Sequence, residues 1–227
     1  MPLFVLSDSL EFPPAGLARP DGLLAIGGDL SVRRLLSAYC NGIFPWFNEG
    51  DPILWWSPDP RLVLYPEELH VSRRLERTVR QGKFEVSFDQ AFDQVIENCA
   101  KVRRHSNDGT WITGSMIAAY GEMFRQGWCR SVEAWYRGKL VGGLYGVQID
   151  RVFFGESMFT IMTDASKVAF VHAIRRMHQD GVKIIDCQVP TGHLARFGAR
   201  LIPRDEFLKE IERWTFTTCR QILSDNY

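Results

Sequence analysis

The stretch SVEAWYRGKLVGGLYGVQIDRVFFGESMFTIMTDASKVAFVHAIRRMHQDGVKIIDCQV, residues 131–189, decides the fold. It opens with three strand-like runs, 131–136, 140–148 and 152–159, rich in β-branched and aromatic residues. Arg137-Gly138 and Ile149-Asp150 separate them, so the runs predict an antiparallel meander joined by tight turns. The apolar period then lengthens. Residues 168, 170, 171, 174 and 177 form one helical stripe, capped at Asp164 or Ser166 and ended by Gly181 after His178. The nearly apolar run 182–189 returns to the sheet. Meander, helix and strand together read as a mixed sheet flanked by helices, α+β verging on α/β.

Working outward, residues 70–80 carry a narrow stripe at 71, 75 and 79 and predict a helix. A strand follows at 84–88, then a helix at 91–100 with its stripe at 92, 95, 96 and 99. Another helix covers 115–126 and stops at Gly127; a short helix at 193–197 and a final strand and helix complete the chain. Residues 1–62 differ in kind: they hold eight of the eleven prolines and three of the seven tryptophans. Their charge is −3 (4 Lys+Arg, 7 Asp+Glu), against +3 (23 and 20) for residues 63–227. One helix is expected there, from a Ser31 cap to a Gly42 stop, before the aromatic, turn-rich segment IFPWFNEGDPILWWSPDPRLVL at 43–64, with a turn at Gly50-Asp51. The pattern predicts a small irregular domain over 1–62 packed on a larger one over 63–227.

The 227 residues balance 27 Lys+Arg against 27 Asp+Glu, which argues against a generally basic nucleic-acid binder. The 15 Phe, 7 Trp and 6 Tyr exclude a disordered chain. No apolar run approaches the roughly 18–20 residues that span a bilayer, and MPLFVLSDSLEFPP lacks the pattern of a signal peptide, so no membrane partner is expected. Five cysteines without a C-x-x-C pair predict no disulfide framework or zinc site and suit a reducing cytoplasm. Five histidines without H-x-x-x-H or H-E-x-x-H spacing predict no metal, and no cofactor motif is present.

Four groups of residues could carry chemistry. Asp186 and Gln188 stand at i, i+2 on a buried strand, hence on one face, at the carboxyl end where ligands bind in such sheets. The bland alternative is an Asp capping the next helix and a Gln bonding a sheet edge. Glu156 lies in an otherwise apolar strand and must find a partner or a cleft, with Gly155 allowing close backbone approach. Trp46, Trp55, Trp56, Trp111, Tyr120 and Phe153 could stack bases, although core packing accounts for most aromatics by default. Arg73, Arg74, Arg77, Arg80 and Lys83 against Glu76 give a local +4, a solvated helix face or a phosphate-tracking strip; Lys101, Arg103 and Arg104 form a second cluster.

GLLAIGGDLS (22–31), NGIFPWF (41–47), ILWWSPDPR (53–61), GTWIT (109–113), LVGGLYGV (140–147), FFGESMF (153–159), ASK (165–167) and IIDCQ (184–188) closely resemble the leucyl/phenylalanyl-tRNA–protein transferase family. The similarity runs from about residue 3 to 208. It implies a small N-terminal domain and an acetyltransferase-like (GNAT) C-terminal domain. It also implies transfer of Leu or Phe, less well Met, from Leu-tRNA or Phe-tRNA to proteins with N-terminal Arg or Lys, which marks them for degradation by the N-degron (N-end rule) pathway. By resemblance, the donor pocket comprises Trp46, Trp111, Tyr120, Leu144, Phe153, Gly155, Glu156, Phe170 and Ile185, while Asp186 and Gln188 serve catalysis. The chemistry is aminolysis of an ester: Asp186 orients or deprotonates the acceptor α-amine, and Gln188 relays or steadies the carbonyl. The sequence departs from the family pattern at Thr191, where an amide is expected, and at Met177, where an aromatic is common.

An acetyl-CoA-dependent acetyltransferase is the nearest rival. Its Gly-rich pyrophosphate turn would fall on FTIMTDASK (159–167), which has no glycine and carries an acid. A peptidoglycan-building aminoacyl-tRNA transferase would show duplicated domains, and no internal repeat is visible. A non-catalytic RNA-binding module would need the basic strip but not Asp186 or Glu156. A monomer is the default expectation.

Overall fold

The computed structural model describes residues 3–104 and 111–224. Two sheets organise it. Strands β1 (Phe4–Leu6), β2 (Leu23–Gly27), β3 (Phe44–Pro45) and β4 (Leu54–Trp56) form the first, in the order β1-β2-β4-β3. The segment expected to be irregular with one helix therefore also holds a small sheet, whose strands are too short to show a period in sequence. Its helix α1 (Val32–Cys40) begins where expected: the Ser31 hydroxyl accepts the Arg34 amide at 3.3 Å. It ends before Gly42, which adopts φ +69°.

The second sheet has seven strands. β5 (Arg61–Leu64) crosses the expected boundary at residue 62 and lies inside this larger sheet. After it come α2 (Arg73–Arg80), β6 (Glu85–Phe88), α3 (Phe92–Arg104) and α4 (Gly114–Arg125). The meander follows as β7 (Cys129–Tyr136), β8 (Lys139–Ile149) and β9 (Val152–Thr160), all antiparallel. Arg137 and Gly138, at φ +51° and +71°, make the first hairpin turn, and the second begins at Asp150, one residue later than the sequence suggested. Helix α5 (Ala165–Gln179) connects to β10 (Ile184–Gln188), which runs parallel to β9; α6 (Gly192–Ala195), β11 (Arg200–Ile202) and α7 (Arg204–Ser224) complete the chain. The sheet order is β11-β5-β10-β9-β8-β7-β6. This mixed α+β sheet has the meander–helix–strand order the sequence predicts.

Helix stripes sort to the two sheet faces. Residues Val168, Phe170, Val171, Ile174 and Met177 of α5 pack on one face with Leu64, Val132, Leu144 and Ile185. Phe92, Val95, Ile96 and Cys99 of α3 lie on the other with Phe154 and Ile184, in one core that also takes Leu35, Leu36 and Tyr39 of α1 and Phe207 and Ile211 of α7. Gly142 explains how α5 comes so close to β8: a Cβ there would stand 2.8 Å from the Ser166 backbone nitrogen. Met177 is a buried part of the α5 core.

One expectation is corrected. Cys40 at the end of α1 and Cys219 on α7 form a disulfide, in which Cys99, Cys129 and Cys187 take no part. The two partners are 179 residues apart, and only the packing of α1 on α7 brings them together. Cysteine spacing therefore gives no argument here for a reducing compartment. Among the described residues, no helix is long and apolar enough to cross a membrane.

Candidate active site

The site begins where two strands part. β9 and β10 pair only through Ile184–Val152, Ile185–Phe153 and Asp186–Phe154, although β9 continues to Thr160. Two register breaks accompany the separation. Tyr145 pairs with Ser157 but Gly146 with Gly155, so Glu156 is an inserted residue in β9. Asp186 pairs with Val63 but Gln188 with Leu62, so Cys187 is its counterpart in β10. Such bulges re-aim side chains at the point where pairing ends. Gln188 completes the turn with φ +62°, a left-handed conformation that an L side chain adopts only at a cost.

A cavity of about 320 Å³ opens between the diverging ends. Leu144, Phe153, Met158, Phe170 and Ile185 give it an apolar wall, and Phe44, Pro45, Trp46 and Trp111 close it from the side of the small sheet and α4. Glu156, Asp186, Gln188, Thr191 and His193 bring the polar atoms. Eight of the nine residues expected at the donor pocket are on this lining: Trp46, Trp111, Leu144, Phe153, Gly155, Glu156, Phe170 and Ile185. The ninth, Tyr120, is fully buried behind it and reaches the site through Glu156. Trp46 remains 43% exposed and packs against Trp56 with centroids 5.7 Å apart. Trp55, by contrast, is completely buried and donates to the Gly27 carbonyl, a structural role. Gly155 sits where a Cβ would come within 3.3 Å of the Asp186 carbonyl oxygen, a tight contact that the glycine relieves as β10 approaches.

Glu156 is 7% exposed and is held entirely by neutral donors. Tyr39 donates to Oε1 at 2.8 Å, Tyr120 to Oε2 at 3.0 Å, and Gln188 Nε2 to Oε1 at 2.9 Å. The two tyrosine hydroxyl oxygens also lie within hydrogen-bond distance of each other, and either can be the donor when it is not donating to Glu156. Burial pushes the Glu156 carboxyl up to about 7; the tyrosine and Gln188 hydrogen bonds oppose this and the Asp186 charge adds to it. Burial and the Glu156 charge raise both tyrosines well above their ordinary value, so they stay protonated.

Asp186 is quite different. It is fully buried, and Arg61 Nε and Nη2 grip its two oxygens at 2.8 and 2.6 Å in a forked pair. Oδ1 also accepts the backbone amide of Gln188 at 2.8 Å. The Arg61 guanidinium lies against the rings of Phe44 and Phe207, 4.8 and 4.7 Å from their centroids. Cys187, on the cavity wall, is a poor nucleophile, because burial and the Asp186 charge lift its thiol well above its ordinary value.

Tyr39 and Arg61 are site residues that the sequence does not single out. Tyr39 looks like one more apolar position on the α1 stripe, and nothing local shows that α1 faces β9. Arg61 did leave a signal, as a lone charge opening the buried run Arg61–Leu64. Thr191, in place of the expected amide, caps α6 by accepting the Leu194 amide at 3.3 Å.

The basic strip does not line the cavity. Arg73, Arg74, Arg77, Arg80 and Lys83 are all exposed. Arg74 reaches Asp164 at 3.3 Å, and Lys167 holds the same carboxylate at 2.7 Å. Burial lowers the affinity of cavity-lining His193 for a proton, and the charges of Lys167 and Arg196 lower it further. Gly109, Thr110 and the side chains of Arg103 and Arg104 lie outside the described residues.

Residues 63–212 match the family described as leucyl/phenylalanyl-tRNA protein transferase, and residues 28–59 match that family's N-terminal domain. The chain belongs to the leucyl/phenylalanyl-tRNA–protein transferase family. Relatives bearing that name agree. The protein from Syntrophobacter fumaroxidans is 58% identical over 208 residues, 92% of this chain and 89% of the relative. That from Nitrosospira multiformis is 56% identical over 222 residues, 92% and 95% of the two chains. Among solved structures, an aminoglycoside acetyltransferase from an uncultured soil metagenomic sample aligns with 52% of this chain and 86% of its own, at 12% identity and a TM-score of 0.40. A likeness of that size adds nothing to the topology described above.

Proposed function

We propose that the chain transfers Leu or Phe, less well Met, from aminoacyl-tRNA to the α-amine of proteins with N-terminal Arg or Lys, marking them for the N-degron pathway. The observation that carries this reading is the cavity between β9 and β10, where an apolar wall and the Glu156–Gln188 pair meet. Leu144, Phe153, Met158, Phe170 and Ile185 offer a Leu or Phe side chain a dry surface, and Trp46 and Trp111 offer rings beside which the terminal adenosine can stack. The aminoacyl ester is already activated, so much of the rate comes from holding amine and carbonyl together.

In this reading Gln188 steadies the carbonyl region, and Asp186 is a positioning residue rather than a base. Its oxygens are occupied by Arg61 and the Gln188 amide, and freeing them would expose an unpaired buried charge. Arg73, Arg74, Arg77, Arg80 and Lys83 grip phosphates of the acceptor end. The protein acts as a monomer in the cytoplasm, where aminoacyl-tRNA is made. Acetyl-CoA fits poorly: the turn before α5 has no glycine, and Asp164, at φ +67°, puts a carboxylate where a pyrophosphate would sit. Labelled Leu-tRNA or Phe-tRNA incubated with an acceptor bearing N-terminal Arg should label the acceptor. Absence of label, or acetylation from acetyl-CoA, would overturn the reading.

A further inference from the structure

Glu156, Tyr39 and Tyr120 form a closed ring of three oxygen–oxygen hydrogen bonds. Three such bonds require three protons. The tyrosines supply two, and burial keeps both phenols neutral. With Glu156 ionised, both hydroxyls point at the carboxylate and no proton stands between the two tyrosine oxygens. With Glu156 protonated, each member donates to the next and the ring is complete. The ring thus has a place for one proton that needs hydroxyl rotation only, at a carboxyl on the cavity wall.

We propose that Glu156, tuned by Tyr39 and Tyr120, accepts the proton that the acceptor α-ammonium must lose before it attacks the aminoacyl ester. This rests on the transfer reaction proposed above. One ammonium proton passes to the Glu156 carboxylate. The amine lone pair forms the N–C bond, the C–O3′ bond breaks, and the departing 3′ oxygen takes the second proton from the attacking nitrogen. The products are an amide, a free 3′ hydroxyl and a protonated Glu156, which returns its proton to solvent.

The surroundings favour this group. Around Glu156 stand Tyr39 from α1, Tyr120 from α4 with Tyr145 of β8 against its ring, Cys129 from β7, and Asp186 and Gln188 from β10. None of its hydrogen-bond partners is a cation that would hold it ionised. Its carboxyl titrates near 7, close to where a base in a neutral medium is most effective. Asp186, the other carboxylate at the site, has both oxygens in the Arg61 fork.

The test is the pH dependence of single-turnover transfer from Leu-tRNA to a peptide with N-terminal Arg, using the full chain. Glu156→Gln should lower the rate at pH 7.5 by about 100-fold or more and remove the enzyme's own titration, leaving that of the peptide amine. Tyr39→Phe removes one donor to the carboxylate and should move the enzyme limb upward by about one pH unit, as should Tyr120→Phe from a different helix. The peptide amine is unchanged in these variants, so a purely structural role would leave the limb in place. A limb that does not rise in either variant, or a Glu156→Gln rate within a factor of a few of native, overturns the proposal while native transfer upholds the proposed function. No transfer by the native chain overturns both.

Discussion

Arg61 and Asp186 form a completely buried, two-pronged ion pair 125 residues apart in sequence, and the carboxylate also fixes the Gln188 amide. One strand of the large sheet thereby holds the conformation of its neighbour at the point where the sheet opens. The guanidinium lies over the rings of both Phe44 and Phe207, so the small sheet and α7 bear on the same contact.

Removing one member leaves the other charged and unpaired in the core. Arg61→Leu should cost about 3–5 kcal/mol of stability, measured by urea unfolding. Asp186→Asn keeps the shape and an oxygen that can accept the Gln188 amide but loses the charge-assisted fork to Arg61. It should stay folded at reduced stability, with a transfer rate that falls while donor affinity changes little because the Gln188 turn is held less firmly. An Arg61→Leu variant as stable as native would show that the pair does not hold the site.

Glu156 makes a separate claim on stability. Its folded pKa, about 7, lies above the 4.5 of an ordinary glutamate, so between these values the folded state binds more protons than the unfolded chain. Stability conferred by the protonated form is fully present below about 4.5 and is lost as pH rises towards 7. Native protein should therefore lose on the order of 3 kcal/mol between pH 4.5 and pH 8 that Glu156→Gln does not lose. Denaturant midpoints at the two pH values measure it; parallel curves for the two proteins would contradict it.

Much of this architecture was legible beforehand. The meander, the body of α5, and β10 follow from apolar period and turn residues, because local chemistry and tertiary burial agree over most of 131–189. Asp164 does precede α5, but it makes no side-chain cap bond, its carboxylate being taken by Lys167 and Arg74. Illegible were the contacts between distant segments. Asp186 and Gln188 do lie together, but the bulge at Cys187 and the left-handed Gln188 break the simple i, i+2 alternation, and neither is encoded in apolar pattern. The same holds for Tyr39 beside Glu156, which depends on where α1 docks, and for Cys40 beside Cys219.

Donor choice should respond to the apolar wall. Phe170 lies against Phe197 at 4.7 Å between centroids and closes the pocket from α5. Phe170→Ala should shift the ratio of kcat/KM for Phe-tRNA over Leu-tRNA by about 10-fold towards the larger side chain. Transfer rates for the two donors, measured side by side, check the direction; an unchanged ratio would remove Phe170 from the donor pocket.

The basic strip predicts a salt effect. Arg80 is paired with Glu76 at 3.1 Å yet largely exposed, and Lys83 is exposed beside Phe84 and Tyr136, so both can turn to a phosphate. Losing two phosphate contacts in Arg80→Ala/Lys83→Ala should flatten the slope of log affinity against log salt by roughly 1.4–1.8. Binding of Leu-tRNA across a salt series measures this, and an unchanged slope would place the RNA elsewhere.

The central claim is that the cavity joins an aminoacyl group from tRNA to a protein amine. Its most direct test is the intact mass and N-terminal sequence of an acceptor beginning with Arg, after incubation with this chain and Leu-tRNA. A gain of one leucyl residue, placed before the Arg and absent when acetyl-CoA replaces Leu-tRNA, is the predicted result. An acceptor of unchanged mass with Leu-tRNA, or one acetylated by acetyl-CoA, would contradict it.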